Sequence, residues 1–72
     1  MNLNRTSTRR KQENPTLLNT RQAAAFLAVS ARTLQDWRLD RSGPPYIALS
    51  DRAIRYRRSD LEAWLKAREV AA

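Results

Sequence analysis

The sequence predicts a mainly α fold with a small β-hairpin. Three observations support this fold class. Residues 20–37 have the pattern of two short helices separated by a tight turn. Residues 42–45, Ser-Gly-Pro-Pro, form a strong break that precedes two short runs typical of paired strands. A last helical pattern begins near Ser59 and closes the domain.

Length and composition exclude several classes of function. The 72 residues suffice for one small core. The chain contains no cysteine and no histidine, which excludes a disulfide framework, a zinc thiolate site and a histidine general base. We expect no cofactor, no metal and no enzymatic activity, because paired carboxylates, a nucleophile with its base and a glycine-rich phosphate loop are all missing from the sequence. Because neither a secretory signal nor a membrane-spanning run is visible, we expect a cytoplasmic, nucleoid-associated bacterial protein.

The charge balance is strongly basic. The formal net charge is +7, from 14 basic and 7 acidic residues, and 12 of the basic residues are arginine. Arginine suits planar, bidentate contacts with phosphates and guanine edges. A high-GC genome would also favour arginine codons, so composition alone leaves open whether nucleic acid is the partner.

Residues 1–16 are predicted to be a basic N-terminal arm that is disordered in isolation, because they carry too little apolar surface to offset the entropy of ordering. Pro15 disfavours helix at the preceding residue and marks the edge of the folded domain, which we place at 17–68, with a frayed tail at 69–72. The arm is either a solubilising tail or a segment that gains order on DNA. In the second case Arg9 and Arg10 would contact the DNA backbone.

The two predicted helices span residues 21–27 and 31–37, with Ala28-Val29 as the turn between them. Thr20 and Ser30 are expected to cap them, because a side-chain oxygen can accept from the free amides of a first turn. Each helix has an apolar face at helical spacing. These faces consist of Ala23, Ala24 and Leu27 in the first helix and Ala31, Leu34 and Trp37 in the second.

The opposite face of the second helix has side chains that can read base edges, as expected of a helix that enters the major groove. Arg32 can pair with guanine O6 and N7, and Gln35 with adenine N6 and N7. Asp36 can accept from cytosine N4, or it can repel phosphate where contact is unwanted. Ser30 and Thr33 suit phosphate oxygens. For each of these the alternative is an ordinary solvated surface.

Further contacts with the DNA backbone are expected from Thr20 and Arg21 at the start of the first helix.

Residues 46–49 and 53–57 are predicted to be the two strands of a hairpin, joined by the polar turn Ser50-Asp51-Arg52. Ile47, Leu49 and Ile54 would face the helices. A basic hairpin beside a groove-sized helix is a wing, so the complete fold is a winged helix-turn-helix. Four closely spaced arginines would contact DNA from this wing, unless they are merely a solvated strand face: Arg52, Arg55, Arg57 and Arg58. We expect Tyr56 in the core, with a phosphate contact through its hydroxyl as the alternative.

The closing helix is expected to start with Ser59 as its cap, and Glu62 would complete a capping box. Leu61, Trp64 and Leu65 form an apolar stripe. We expect Trp64 to be the largest single contribution to the core.

The segments LLNTRQAAAFLAVSARTLQDW and GPPYIALSDRAIRYRRSDLEAWL together resemble the small excisionase and AlpA-like proteins with a MerR-type winged helix-turn-helix. The likeness covers about residues 17–66. It implies DNA contacts from the second helix and from the wing. In this chain they map onto Ser30, Ala31, Arg32, Gln35 and Asp36, and onto Arg52, Arg55 and Arg57.

Two features depart from the family pattern. Ala28 stands in the turn where such proteins often have glycine, and the wing tip lacks glycine and includes Asp51. We also expect no small-molecule effector, because the sequence shows no long C-terminal coiled coil or effector domain.

Three functions remain open at this point. The first is an excisionase that binds repeated sites side by side, bends the DNA and helps an integrase excise a mobile element. The second is an AlpA-like transcription regulator, which uses the same DNA-binding chemistry. The third is a protein–protein adaptor, which the net charge and the outward arginines disfavour.

Overall fold

The computed structural model describes residues 16–71, which form three helices and a small antiparallel sheet. The elements in chain order are β1 (Leu17–Leu18), α1 (Thr20–Leu27), α2 (Ala31–Leu39), β2 (Ile47–Ser50), β3 (Ala53–Arg57) and α3 (Arg58–Ala67). The predicted winged helix-turn-helix is confirmed, with α1 and α2 as the two-helix unit and β2–β3 as the hairpin. The predicted arm, including Arg9 and Arg10, lies outside the described residues apart from Thr16.

Helix α1 begins one residue earlier than predicted, and its cap is Asn19 rather than Thr20. The side-chain oxygen of Asn19 accepts from the backbone N–H of Gln22 at 2.8 Å. In return, the side-chain oxygen of Gln22 accepts from the backbone N–H of Asn19 at 2.9 Å. This reciprocal pair is a capping box. The expectation that Thr20 caps the helix is therefore wrong, since Thr20 is already the first helical residue.

The turn between α1 and α2 is made by a left-handed alanine. Ala28 has φ 61° and ψ 39°, a conformation that residues other than glycine, asparagine and aspartate rarely adopt. Its amide and that of Val29 donate to the carbonyls at the end of α1, which closes the helix. Ser30 caps α2 as predicted, because its hydroxyl accepts from the Thr33 amide at 3.0 Å. Helix α2 then continues two residues past its predicted end, to Leu39.

The sheet has the strand order β1-β3-β2, with both pairs antiparallel. The two-residue strand β1 was not predicted, and it places Leu18 opposite Tyr56. In the hairpin, the register shifts between Ala48 and Ser50. Leu49 lies at this irregularity, has no cross-strand partner and is 61% exposed. The expectation that Leu49 faces the helices is wrong for this reason.

The core lies where α1, α2, β3 and α3 meet. Its buried members are Leu18, Ala23, Ala24, Leu34, Tyr56 and Leu61. Tyr56 is the largest of the fully buried side chains, which confirms its core position. Trp64 is not the main core residue, because it lies half-buried at the rim between Trp37, at 5.4 Å between ring centroids, and the guanidinium of Arg68.

Helix α3 follows β3 without a loop, and this overturns the predicted cap at Ser59. The helix starts at Arg58, its N-cap is Arg57, and the Arg57 side chain makes no capping hydrogen bond. Instead, the Arg58 amide donates to the Thr16 carbonyl at 2.8 Å. Glu62 forms an ion pair with Arg58 at 3.4 Å rather than a capping box. Within residues 16–71, no helix has both the length and the apolar character needed to traverse a bilayer.

Candidate nucleic-acid interface

Helix α2 has one docked face and one free face, as the sequence predicts. Leu34 is fully buried, whereas Arg32, Gln35, Asp36 and Leu39 are exposed. The docked face holds the helix against the core, and the free face offers a guanidinium, an amide and a carboxylate to a ligand. These groups have the chemistry that reads base edges in a major groove.

On this free face, Arg32 and Asp36 form an ion pair. Arg32 Nε donates to Asp36 Oδ1 at 3.3 Å, and the two side chains are 80% and 53% exposed. An exposed pair four residues apart on a helix is weak, about 0.3–0.5 kcal/mol. A base edge can therefore compete with it.

At the start of α2, the two hydroxyl groups expected to contact phosphate are joined to each other. Ser30 Oγ lies 2.9 Å from Thr33 Oγ1, and it also accepts from the Thr33 amide. Ser30 is exposed, and Ala31 and Thr33 are half-buried beside it. The pair therefore presents a fixed polar edge at the first turn of the helix.

Three elements meet around a groove of about 340 Å³, which we call the basic groove. Its walls are Asn19, Thr20 and Arg21 from α1, Gln35 and Arg38 from α2, and Asp51, Arg52, Ile54 and Arg55 from the hairpin. Five predicted site residues thus come together: Thr20, Arg21, Gln35, Arg52 and Arg55. With four arginines against one aspartate, the lining is strongly positive and attracts phosphate.

Arg38 belongs to the basic groove but was not predicted from the sequence. Its Nη1 donates to the Tyr56 hydroxyl at 2.8 Å and to the Thr20 hydroxyl at 3.3 Å. Its guanidinium carbon lies 5.7 Å from the ring centroid of Tyr46. Arg38 follows Gln35 by three residues, so extending the period of the free face by one turn would have indicated it.

The four wing arginines divide into two pairs. Arg52 and Arg55 line the basic groove, and Arg55 Nη1 also donates to the Ile54 carbonyl at 2.8 Å. Arg57 and Arg58 instead lie beside carboxylates of α3. The distances are 3.8 Å from Arg57 Nη1 to Asp60 Oδ2 and 3.4 Å from Arg58 Nε to Glu62 Oε2. The Arg58 guanidinium also stacks over the Phe26 ring, at 4.9 Å from its centroid.

A comparison with protein-family models matches residues 17–69 to a family described as a helix-turn-helix domain. The chain belongs to this helix-turn-helix family. A helix-turn-helix domain implies DNA binding, so duplex DNA is the partner that the fold indicates. The comparison with curated proteins found no match. Among residues 16–71, no three histidine, cysteine or acidic side chains are grouped closely enough to hold a metal ion.

Proposed function

We propose that this helix-turn-helix protein binds specific duplex sequences and acts as an excisionase. Helix α2 would enter the major groove while the basic groove receives the adjacent phosphate backbone. The observation that carries the proposal is the convergence of α1, α2 and the hairpin on one arginine-lined groove beside the exposed face of α2. Phosphate contacts supply most of the affinity of such an interface, and base-edge contacts supply its specificity.

In this proposal, the free face of α2 reads the sequence. Arg32 would pair with guanine and Gln35 with adenine, while Asp36 accepts from cytosine or orients Arg32. Ser30 and Thr33 would contact a phosphate at the first turn of α2, where the free amides add their own attraction. Ala31 would lie close to the DNA between them.

The contacts that position the protein on the DNA backbone would come from the basic groove. Thr20 and Arg21 would act from α1, and Arg52 and Arg55 from the hairpin. Arg57 and Arg58 would contribute less than the groove arginines, because carboxylates of α3 already neutralise part of their charge. Arg9 and Arg10 would add salt-sensitive contacts from the arm.

The excisionase role is supported by the likeness of the two segments quoted above to excisionase and AlpA-like proteins. Copies of the chain would bind repeated sites side by side and bend the DNA. The bent complex would let an integrase excise a mobile element. No small-molecule effector takes part in this scheme.

The first experiment is a duplex titration at several salt concentrations with three chains. These are the wild type, the groove variant R21A/R52A/R55A and the control variant R41A/K66A/R68A. The control removes the same charge from positions that do not line the basic groove. We expect the groove variant to lose most of its affinity and about three units of the log–log salt slope. Equal losses in both variants would contradict DNA binding through this surface, and no wild-type affinity in dilute buffer would contradict DNA binding altogether and favour the adaptor.

The second experiment is an excision assay with a cognate integrase, using a substrate that carries both attachment sites. We expect excision to depend on the chain and to fail with the groove variant. Altered promoter output without any effect on excision would reject the excisionase role and identify an AlpA-like regulator.

A further inference from the structure

The guanidinium of Arg38 is held through one of its three nitrogens. Both hydrogen bonds that it makes within residues 16–71, to Tyr56 and Thr20, come from Nη1. Its Nε and Nη2 have no hydrogen-bond acceptor in that part of the chain. The side chain is half-buried and lines the basic groove. One edge of this guanidinium thus has no acceptor among residues 16–71, and it lies at a groove lined by three other arginines.

The free edge has a defined shape. The N–H groups of Nε and Nη2 are parallel and coplanar, and this fork matches two oxygens of a phosphate diester. Such bidentate, charge-assisted bonds are stronger than bonds between neutral groups. A lysine at this position would keep the charge but would lose the fork.

Tyr56 determines where the fork lies. Its side chain is 1% exposed, so its hydroxyl is too deeply placed to contact DNA directly. The hydroxyl nevertheless accepts the shorter of the two bonds from Arg38, at 2.8 Å. The β1–β3 pairing fixes Tyr56 opposite Leu18 in the core. The hydrogen bond therefore ties the guanidinium to a side chain that is packed in the core.

We propose that Arg38 binds one backbone phosphate of the DNA through its Nε–Nη2 edge, with Tyr56 as the positioning residue. This inference rests on the proposed DNA binding and adds a specific site to it. Because the side chain is ordered before the ligand arrives, less rotamer entropy is lost on binding than with an exposed arginine. Tyr56 then affects DNA affinity without touching DNA.

The test is a double-mutant cycle with R38A, Y56F and R38A/Y56F, measured by fluorescence anisotropy on a short labelled duplex selected in vitro with the wild-type chain. We expect R38A to weaken binding about 10- to 100-fold and Y56F about 3- to 10-fold. The double variant should bind no more weakly than R38A, because Tyr56 acts through Arg38. R38A should also lower the log–log salt slope by about 1, as the loss of one phosphate contact requires.

Two matched controls separate this site from general effects. Y46F removes a tyrosine hydroxyl that has no hydrogen bond within residues 16–71, and R68A removes an arginine that does not line the basic groove. Both should bind like the wild type. Thermal melts are run on every variant. If R38A is unfolded at the assay temperature, R38K replaces it, with an expected loss of about 3- to 10-fold because the fork is gone.

The outcomes distinguish the site from the wider proposal. If the wild type binds duplex but the Arg38 variants bind equally well, or if R38A loses affinity with no change in salt slope, Arg38 does not contact a phosphate. R38K keeps the charge, so for that variant the loss of affinity alone is the criterion. Additive losses in R38A and Y56F would show that Tyr56 does not act through Arg38. If the wild type itself has no affinity for the duplex in dilute buffer, the proposed DNA binding fails instead.

Discussion

The carboxylate of Asp36 accepts a hydrogen bond from Nε of Arg32 at 3.3 Å, and the two residues lie one turn apart on the exposed face of α2. Among residues 16–71, the terminal nitrogens of Arg32 have no hydrogen-bond acceptor, so its outer fork stays open to a guanine edge. In the proposed DNA complex, Asp36 would therefore have two opposing effects on affinity. It would orient the arginine, and it would place a negative charge near the phosphates.

The variant D36A should separate these two effects. We expect it to raise affinity for all duplex sequences, by about 1 kcal/mol in dilute salt, since a repulsive charge is removed. Sequence preference at the base pair contacted by Arg32 should weaken at the same time, because the guanidinium is no longer oriented. Competition titrations against random duplex measure both quantities. D40A is the control, since it removes an exposed carboxylate at the C-terminal end of α2; a D40A result equal to that of D36A would mean that only net charge matters.

The variants R32A and R55A should affect different properties of DNA binding: R32A its sequence preference, and R55A its affinity for all sequences. We expect R32A to reduce discrimination at one base pair by about 1–3 kcal/mol, because a bidentate base contact is lost. R55A should weaken all sequences nearly alike and reduce the salt slope by about 1, because a phosphate contact is lost. In vitro selection followed by salt titration measures both. The reverse pattern would exchange the readout and positioning roles of α2 and the hairpin.

The variant N19A should destabilise the domain by about 1 kcal/mol, because it removes the side-chain acceptor of the capping box. Urea unfolding followed by circular dichroism measures the change. S59A should change stability by less than about 0.5 kcal/mol, since Ser59 is exposed within α3 and caps nothing. A larger loss in S59A than in N19A would contradict both cap assignments.

The variant A28G should stabilise the domain by about 0.5–1 kcal/mol. The left-handed conformation at Ala28 is unfavourable for an L-residue by about 1–2 kcal/mol, and glycine relieves it while adding entropy to the unfolded chain. A25G is the matched control, because Ala25 is an exposed residue in α1 and should lose about 1 kcal/mol on the same change. If the melting temperatures of both variants shifted in the same direction, the left-handed conformation at Ala28 would not explain the effect of A28G on stability.

The parts of the fold that the sequence predicts are those with a repeating pattern. The docked face of α2 follows from Leu34 and its neighbours at helical spacing, and Ser30 has the position and chemistry of a cap. The cap of α1 was predictable as well. Gln22 follows Asn19 by three residues and fits a capping box, whereas Ala23 stands at that spacing from Thr20.

The remaining features depend on contacts that no local pattern reports. Strand β1 has two residues, too few to show alternation, and it exists because β3 offers it an edge. The exposure of Leu49 follows from a register shift in the hairpin. The position of the Arg38 guanidinium depends on its hydrogen bond to Tyr56, which is 18 residues away in sequence. Likewise, the division of the wing arginines depends on the carboxylates that α3 brings beside Arg57 and Arg58.

The bond between the Thr16 carbonyl and the Arg58 amide, together with the burial of Leu18, has a practical consequence for anyone who shortens this chain. A fragment starting at the first helix would look complete on a helix diagram. It would nevertheless lack Leu18, which pairs with Tyr56 in the core, and the Thr16 carbonyl, which accepts from the first residue of α3. Fusion partners, tags and protease sites therefore belong upstream of residue 16.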